Sequence, residues 1–147
     1  MKPRIKIFVW FTIASLFIFK NVTGQSKNNT SFDEPKFSSI LIQAISAKIS
    51  GDYFTADSLF KVCLELNPES GVCYFEMSGI YWDEDKKYLA IEQAQKAVQM
   101  SPKNEWYLAN LAVFYRKLKN YQSASLCFEK LFGNHPQRTE YLFSLAE

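Results

Sequence analysis

Hydrophobic and polar positions recur along much of the chain with the period of an α-helix. One stripe of apolar or small residues recurs every three or four positions: Leu108, Leu111, Ala112, Tyr115 and Leu118. A polar turn at residues 119–120 separates it from a second stripe: Tyr121, Ala124, Phe128, Leu131 and Phe132. Pro136 then disfavours helical geometry in the residue before it. The pattern predicts two helices joined by a short turn.

The same pair of helices recurs with a period of 34 residues. Prolines keep this spacing at Pro68, Pro102 and Pro136, and alanines keep it at Ala56, Ala90 and Ala124. Three further sets of apolar or small residues have the same 34-residue spacing: Phe60/Ala94/Phe128, Cys63/Ala97/Leu131 and Leu64/Val98/Phe132. One helix pair cannot bury its own apolar face, so stacked pairs are needed for stability. The sequence therefore predicts an all-α solenoid.

The 34-residue unit resembles the tetratricopeptide repeat (TPR) family, with three units at residues 37–70, 71–104 and 105–138. The residues that carry the resemblance are Ile40, Ala44, Tyr53, Ala56, Phe60, Cys63 and Pro68; Tyr74, Met77, Ser78, Tyr81, Ala90, Ala94, Ala97 and Pro102; and Leu108, Leu111, Ala112, Tyr115, Tyr121, Ala124, Phe128 and Pro136. The resemblance implies three helix-turn-helix repeats. Residues 139–147 then form the start of a fourth repeat or a short capping helix.

Three positions depart from the family pattern. Ala47 stands where tyrosine is usual, and Leu131 fills a site that is normally small. Tyr88 comes one place late, so we expect the turn at residues 83–87 to be distorted. None of these changes breaks the register.

The N-terminus has the layout of a secretory signal peptide. Basic residues within positions 2–6 precede an apolar run at 7–19, and a cleavage site follows after Gly24. The alternative, an uncleaved membrane anchor, requires about 20 apolar residues, and Lys20 ends this run early. We expect residues 1–24 to be removed, residues 25–36 to form a polar linker, and the mature chain to be periplasmic or secreted without stable membrane insertion.

Composition and charge argue against a nucleic-acid-binding function. The chain has 147 residues, of which 48% are hydrophobic and 22% charged, which is typical of one globular domain. Four of its 17 basic residues lie within positions 1–24, leaving 13 against 15 acidic residues. Nucleic-acid binding needs a concentrated cationic surface. We therefore expect no nucleic-acid partner.

Catalytic and metal-binding patterns are missing from the sequence. His135 is the single histidine, and its place before Pro136 is explained by the end of a helix. The acidic residues 83–85 lack the alternating spacing and the glycine of a calcium loop. No glycine-rich phosphate loop, nucleophile elbow or Cys-x-x-Cys pair is present. The sequence predicts a protein that is not an enzyme and has no cofactor.

Two of the three cysteines are candidates for a disulfide. Cys63 and Cys73 lie about equally far from Pro68, so antiparallel helices would bring them together. An oxidising compartment would allow the bond. Alternatively, Cys63 fills a small core site as a compact hydrophobic residue. Cys127 is expected to be a packed helix residue.

The family resemblance implies a concave groove lined by the first helix of each repeat. The corresponding residues are Leu41, Ile45 and Lys48; Phe75, Trp82 and Asp83; and Trp106, Asn110, Val113, Arg116 and Lys117. Two tryptophans and a phenylalanine beside an arginine have the composition of a binding hot spot. Each tryptophan could equally belong to the core. Leu41, Ile45, Trp106 and Asn110 occupy places where chaperone-binding TPR domains carry their carboxylate clamp, so that clamp is absent.

These observations predict an exported, non-catalytic adaptor or scaffold that binds a protein or peptide segment in its groove. One alternative is the N-terminal ectodomain of a larger envelope sensor or scaffold. Another is a homo-oligomer in which the C-terminal repeat stacks on a second copy and covers Leu142 and Leu145.

Overall fold

The computed structural model describes residues 33–139 and Tyr141, and this part of the chain contains α-helices and no strand. The six helices are α1 (Glu34–Ile49), α2 (Tyr53–Leu66), α3 (Gly71–Asp83), α4 (Lys87–Met100), α5 (Glu105–Lys117) and α6 (Tyr121–Asn134). Consecutive helices pack in pairs, and neighbouring pairs pack through α2 with α3 and α4 with α5. The predicted all-α solenoid of three helix-turn-helix repeats is confirmed.

The first helix begins before the first predicted unit. α1 starts at Glu34, and the Asp33 carboxylate accepts a hydrogen bond from the Lys36 N–H at 3.1 Å. Residues 34–36 of the predicted linker are therefore helical. The predicted signal peptide, linker residues 25–32 and most of the predicted fourth unit (residue 140 and residues 142–147) lie outside the described residues. Within the described part, no helix is long and apolar enough to span a bilayer.

Small residues let the helices approach closely, and larger residues fill the remaining space. Ala44, Ser78 and Ala112, one from each repeat, are fully buried. The largest fully buried side chains are Phe60, Ile80, Leu108 and Leu131. The core thus runs continuously from the first repeat into the third.

All three turns within the repeats have the same backbone conformation. Gly51, Asp85 and Lys119 have positive φ angles of 83°, 62° and 59° and are spaced by the repeat period. In the first turn, the Asp52 N–H donates to the Ala47 carbonyl at 3.0 Å and the Gly51 N–H donates to Lys48 at 3.0 Å. The other two turns repeat this pair of bonds, which defines a Schellman motif.

The expectation that the second turn is distorted is therefore wrong. Asp85 adopts the left-handed conformation that Gly51 adopts in the first turn, and Lys86 donates to Tyr81 as Asp52 does to Ala47. Tyr88 comes one place late without changing the turn, because its side chain is 92% exposed and has no place in the core to fill.

Because the three turns share one backbone conformation, adding a glycine at one turn and removing the glycine from another should have opposite effects on the free energy of unfolding. Left-handed geometry costs a residue with a Cβ about 1 kcal/mol, and Gly51 has no heavy atom within 4 Å of an added Cβ. We expect Lys119→Gly to raise the free energy of unfolding by about 1 kcal/mol and Gly51→Ala to lower it by a similar amount. Urea denaturation of both variants checks this. Effects of the same sign would contradict the assignment of the shared turn.

Candidate peptide-binding face

The first helices of the second and third repeats lie side by side and run parallel. Three contacts join α3 to α5: the Phe75 ring stacks on Tyr107, the Trp82 ring stacks on Phe114, and the Asn110 amide donates to the Ser78 hydroxyl. Each contact joins residues 32 positions apart, so the two helices keep one register. We call the surface formed by the outward side chains of α1, α3 and α5 the first-helix face.

An ion pair at the junction of α1 and α3 leaves this part of the first-helix face neutral. The Lys48 ammonium donates to the Glu76 carboxylate at 2.6 Å, and the two side chains are 24% and 21% exposed. A Cβ on Gly79 would lie 2.9 Å from Lys48 Nζ, so the absence of a side chain there makes room for the ammonium group. These charged groups bind each other and offer no net charge to a ligand.

Large apolar side chains on this face are exposed. Ile42 is 68% exposed, Ile49 is 82% exposed and Trp106 is 69% exposed. Ile42, Ile45 and Ile49 are separated by three and four residues, which places them on one side of α1. Val113 follows Trp106 after two turns of α5 and is half-buried. Apolar groups therefore lie on the first and third repeats, on either side of the Lys48–Glu76 pair.

The two tryptophans that the sequence could not distinguish have different environments. Trp82 is half-buried, and its ring lies 4.2 Å from the ring of the buried Phe114 and nearly parallel to it. The Lys87 and Lys117 ammonium groups lie 4.2 Å and 5.3 Å from the Trp82 ring centroid. Trp82 thus packs the second repeat against the third, whereas Trp106 is available at the surface.

The remaining candidate residues are partly used in packing. Leu41 and Ile45 are half-buried against the core, and Phe75 is half-buried against Tyr107. The Arg116 guanidinium lies 6.0 Å from the Phe128 ring, on the second helix of its own repeat. Lys117 is exposed.

Asp83 interacts with the second helix of the first repeat. Its carboxylate accepts a hydrogen bond from the Tyr53 hydroxyl at 3.2 Å. This bond and the carboxylate charge raise the pKa of Tyr53 above its usual value. The Asp83 carboxylate therefore already accepts a hydrogen bond from within the protein.

Three residues of the first-helix face were not among the sequence candidates. Ile42 and Ile49 lie one helical turn on either side of Ile45, so the helical period alone could have added them. Glu76 could not have been found in this way, since its contact with Lys48 crosses between two repeats.

Charged side chains lie beside both the acidic turn at residues 83–85 and His135. Lys86 pairs with Glu84 at 3.0 Å and Lys87 pairs with Asp85 at 3.0 Å, so lysines balance this turn. His135 Nε2 lies 4.0 Å from the Glu105 carboxylate. Among the described residues, no group of three His, Cys, Asp or Glu side chains is arranged to hold a metal ion.

The C-terminal edge is held to α5 by the Glu105 carboxylate. The Arg138 guanidinium and the Tyr141 hydroxyl both donate to it. The bond from Arg138 contributes most to lowering the pKa of Glu105, and Tyr141 lowers it further. This cluster joins the residues that follow α6 to the beginning of the third repeat.

Two stretches of the chain, residues 72–104 and 107–136, match the family model of the tetratricopeptide repeat. The chain contains tetratricopeptide repeats. No curated protein sequence matches it. The TPR units matched by the family model begin within two residues of α3 and α5, so family pattern and structure agree on the second and third repeats.

Solved TPR structures share the fold. The first TPR domain of Spaghetti (RPAP3), bound to the HSP90 peptide SRMEEVD, is 16% identical with a TM-score of 0.67, over 78% of this chain and 90% of that one. The Arabidopsis OM64 TPR domain is 14% identical with a TM-score of 0.64, over 76% and 93%. The Sgt2 TPR domain from Aspergillus fumigatus is 18% identical with a TM-score of 0.65, over 76% of both chains. The TM-scores show that this chain and the three domains share a common fold.

Proposed function

We propose that the chain is an exported, non-catalytic adaptor or scaffold that binds an apolar segment of a partner protein on its first-helix face. The observation that carries this proposal is the exposure of Ile42, Ile49 and Trp106 on this face. The second helices also expose apolar residues, among them Phe54 and Tyr88, so exposure alone does not select a binding surface. The family resemblance, which implies a groove lined by the first helices, favours the first-helix face. Aromatic anchors such as Trp106 commonly dominate binding energy.

The charges on the face favour an apolar partner over an acidic one. Lys48 is engaged by Glu76, and Lys117 lies near the Trp82 ring. Binding an acidic group at Lys48 would require breaking the Lys48–Glu76 pair, which would leave a half-buried carboxylate without its cation. An apolar segment can cover Ile42, Ile49 and Trp106 and leave the ion pair in place.

A displayed library of random peptides tests this preference. We expect the selected peptides to be rich in apolar residues at helical or alternating spacing. In NMR titrations they should shift the resonances of Ile42, Ile49 and Trp106. The acidic peptide SRMEEVD, bound by the Spaghetti domain, serves as the comparison probe and is expected to cause no saturable shift. Tight binding of SRMEEVD, or shifts confined to the second helices, would contradict the proposal.

Export is part of the proposal because of the charged and apolar pattern of residues 1–24. The intact mass of the protein isolated from its own cells, fraction by fraction, tests it. We expect the N-terminus at Gln25 in an extracytoplasmic fraction. An unprocessed chain in the cytoplasm would disprove export and leave the binding proposal standing.

A further inference from the structure

Two buried thiols lie at the junction between the first and second repeats. Cys63 on α2 and Cys73 on α3 are both fully buried, and neither is in a disulfide in this structure. Cys127 on α6 is also buried and free. The first two cysteines differ from the third because the turn between α2 and α3 brings them to a common junction.

Hydrogen bonds through the turn hold the two cysteine backbones in place. The Asn67 N–H donates to the Cys63 carbonyl at 2.8 Å, the Ser70 N–H donates to the Asn67 carbonyl at 3.1 Å, and the Cys73 N–H donates to the Ser70 carbonyl at 3.2 Å. The Ser70 hydroxyl also donates to Cys73 Sγ at 3.2 Å. These bonds fix the end of α2, which carries Cys63, and the beginning of α3, which carries Cys73.

Cys63 and Cys73 lie on two helices that pack against each other at this junction, and each thiol interacts with the other. One period later, Cys63 corresponds to Ala97 and Cys73 corresponds to Tyr107. Both of these residues approach Gly71, since a Cβ there would lie 2.9 Å from Tyr107 Cε2 and 3.5 Å from the Ala97 carbonyl oxygen. At the first junction the equivalent positions hold two thiols in place of an alanine and a tyrosine.

We propose that Cys63 and Cys73 form an intramolecular disulfide that joins the first repeat to the second when the protein meets a disulfide oxidant. The thiolate of one cysteine attacks the oxidant's disulfide, forms a mixed disulfide and releases one thiol. The thiolate of the other cysteine then attacks the sulfur of the first, forms the internal bond and releases the second thiol. The two cysteines lose two protons and two electrons, and the oxidant is reduced to two thiols.

The burial of both thiols determines when these steps can take place. Burial, together with the interactions with Cys73, raises the pKa of Cys63 to about 12. Burial also raises the pKa of Cys73, but hydrogen bonds from Ser70 and Cys63 act in the opposite direction. Since both groups are buried, the exchange occurs during folding or local opening of the first repeat, after which repacking protects the bond.

A thiol-mapping experiment tests the bond. The purified protein is incubated with oxidised glutathione at the midpoint of its urea transition, where the junction is open, and is then refolded, blocked with iodoacetamide and digested. Cleavage after Glu65 or Glu69 separates the two cysteines. We expect their peptides to remain linked until reductant is added, with a loss of two hydrogen atoms, and Cys127 to be alkylated.

Two variants and a stability measurement complete the test. The bond closes a loop of 11 residues, and a loop of that size is expected to raise the melting temperature by roughly 10 °C relative to the reduced protein. Cys127→Ala should keep this difference, whereas Cys63→Ala should lose it. Alkylation of both Cys63 and Cys73 after this treatment, or linkage of either to Cys127, would overturn the inference. This readout needs no binding partner, so it is independent of the proposed function.

Discussion

Replacing Ile49 and Trp106 together with alanine is expected to weaken binding of the selected apolar peptides by roughly 100-fold and to leave the melting temperature unchanged. The two side chains are 82% and 69% exposed, so their removal opens no cavity in the core. Alanine also has a higher helix propensity than either residue. Fluorescence or calorimetric titration gives the dissociation constant, and circular dichroism gives the melting temperature.

The matched control removes an exposed aromatic side chain from a second helix. Tyr88 on α4 is 92% exposed and contributes no side chain to the first-helix face. Tyr88→Ala should therefore bind the peptides as the unmodified protein does. Equal losses in both variants would show that binding does not depend on the first-helix face. Trp82 is left unchanged in this design because its ring stacks on Phe114, so its removal would disturb packing between repeats.

Replacing Phe60 with alanine is expected to lower the free energy of unfolding by about 3–5 kcal/mol. Phe60 on α2 is fully buried in the core of the first repeat, so the substitution leaves a cavity that the surrounding helices fill only partly. A domain of this size is stable by about 5–15 kcal/mol, and the loss would remove a large share of that. Because a repeat contacts only its neighbours, the first repeat should unfold before the others.

Phe54 provides an internal control on the same helix. It lies six residues before Phe60 but is 85% exposed. We expect Phe54→Ala to change the free energy of unfolding by no more than about 0.5 kcal/mol. Urea denaturation followed by circular dichroism compares the two variants, and hydrogen exchange reports which repeat opens first. Similar stabilities for the two variants would show that α2 packs with a different face.

The position of the candidate face was predictable in part from the sequence. The family register placed Lys48, Asn110 and Trp106 on the first helices, and the structure places them there. Their environments were not predictable. Lys48 is engaged by Glu76 and Asn110 by Ser78, and both contacts cross from one repeat to the next. No local pattern specifies which side chain of a neighbouring repeat is within reach.

The second turn shows why a departure in sequence did not become a departure in structure. Tyr88 is displaced by one position from the family pattern, which predicted a distorted turn. The backbone nevertheless forms the same Schellman motif with Asp85 in the left-handed conformation. Packing of α3 against α4 fixes where the turn must reverse the chain, and the bonds of the motif compensate for the strain at a non-glycine residue.

The sequence by itself determined the helices, their turns and the three-repeat architecture, because the signals for these features are local and recur with the period of 34 residues. A proline ends a helix through its own ring, and a small residue at a given position of the repeat permits close helix packing in every repeat that has it. Only the tertiary structure decided which apolar residues remain exposed. Trp82 and Trp106 both lie on first helices, but Phe114 from the next repeat covers Trp82, whereas Trp106 stays open at the surface. The burial of a side chain depends on the residues of neighbouring helices that contact it, and those residues lie in other repeats of the sequence.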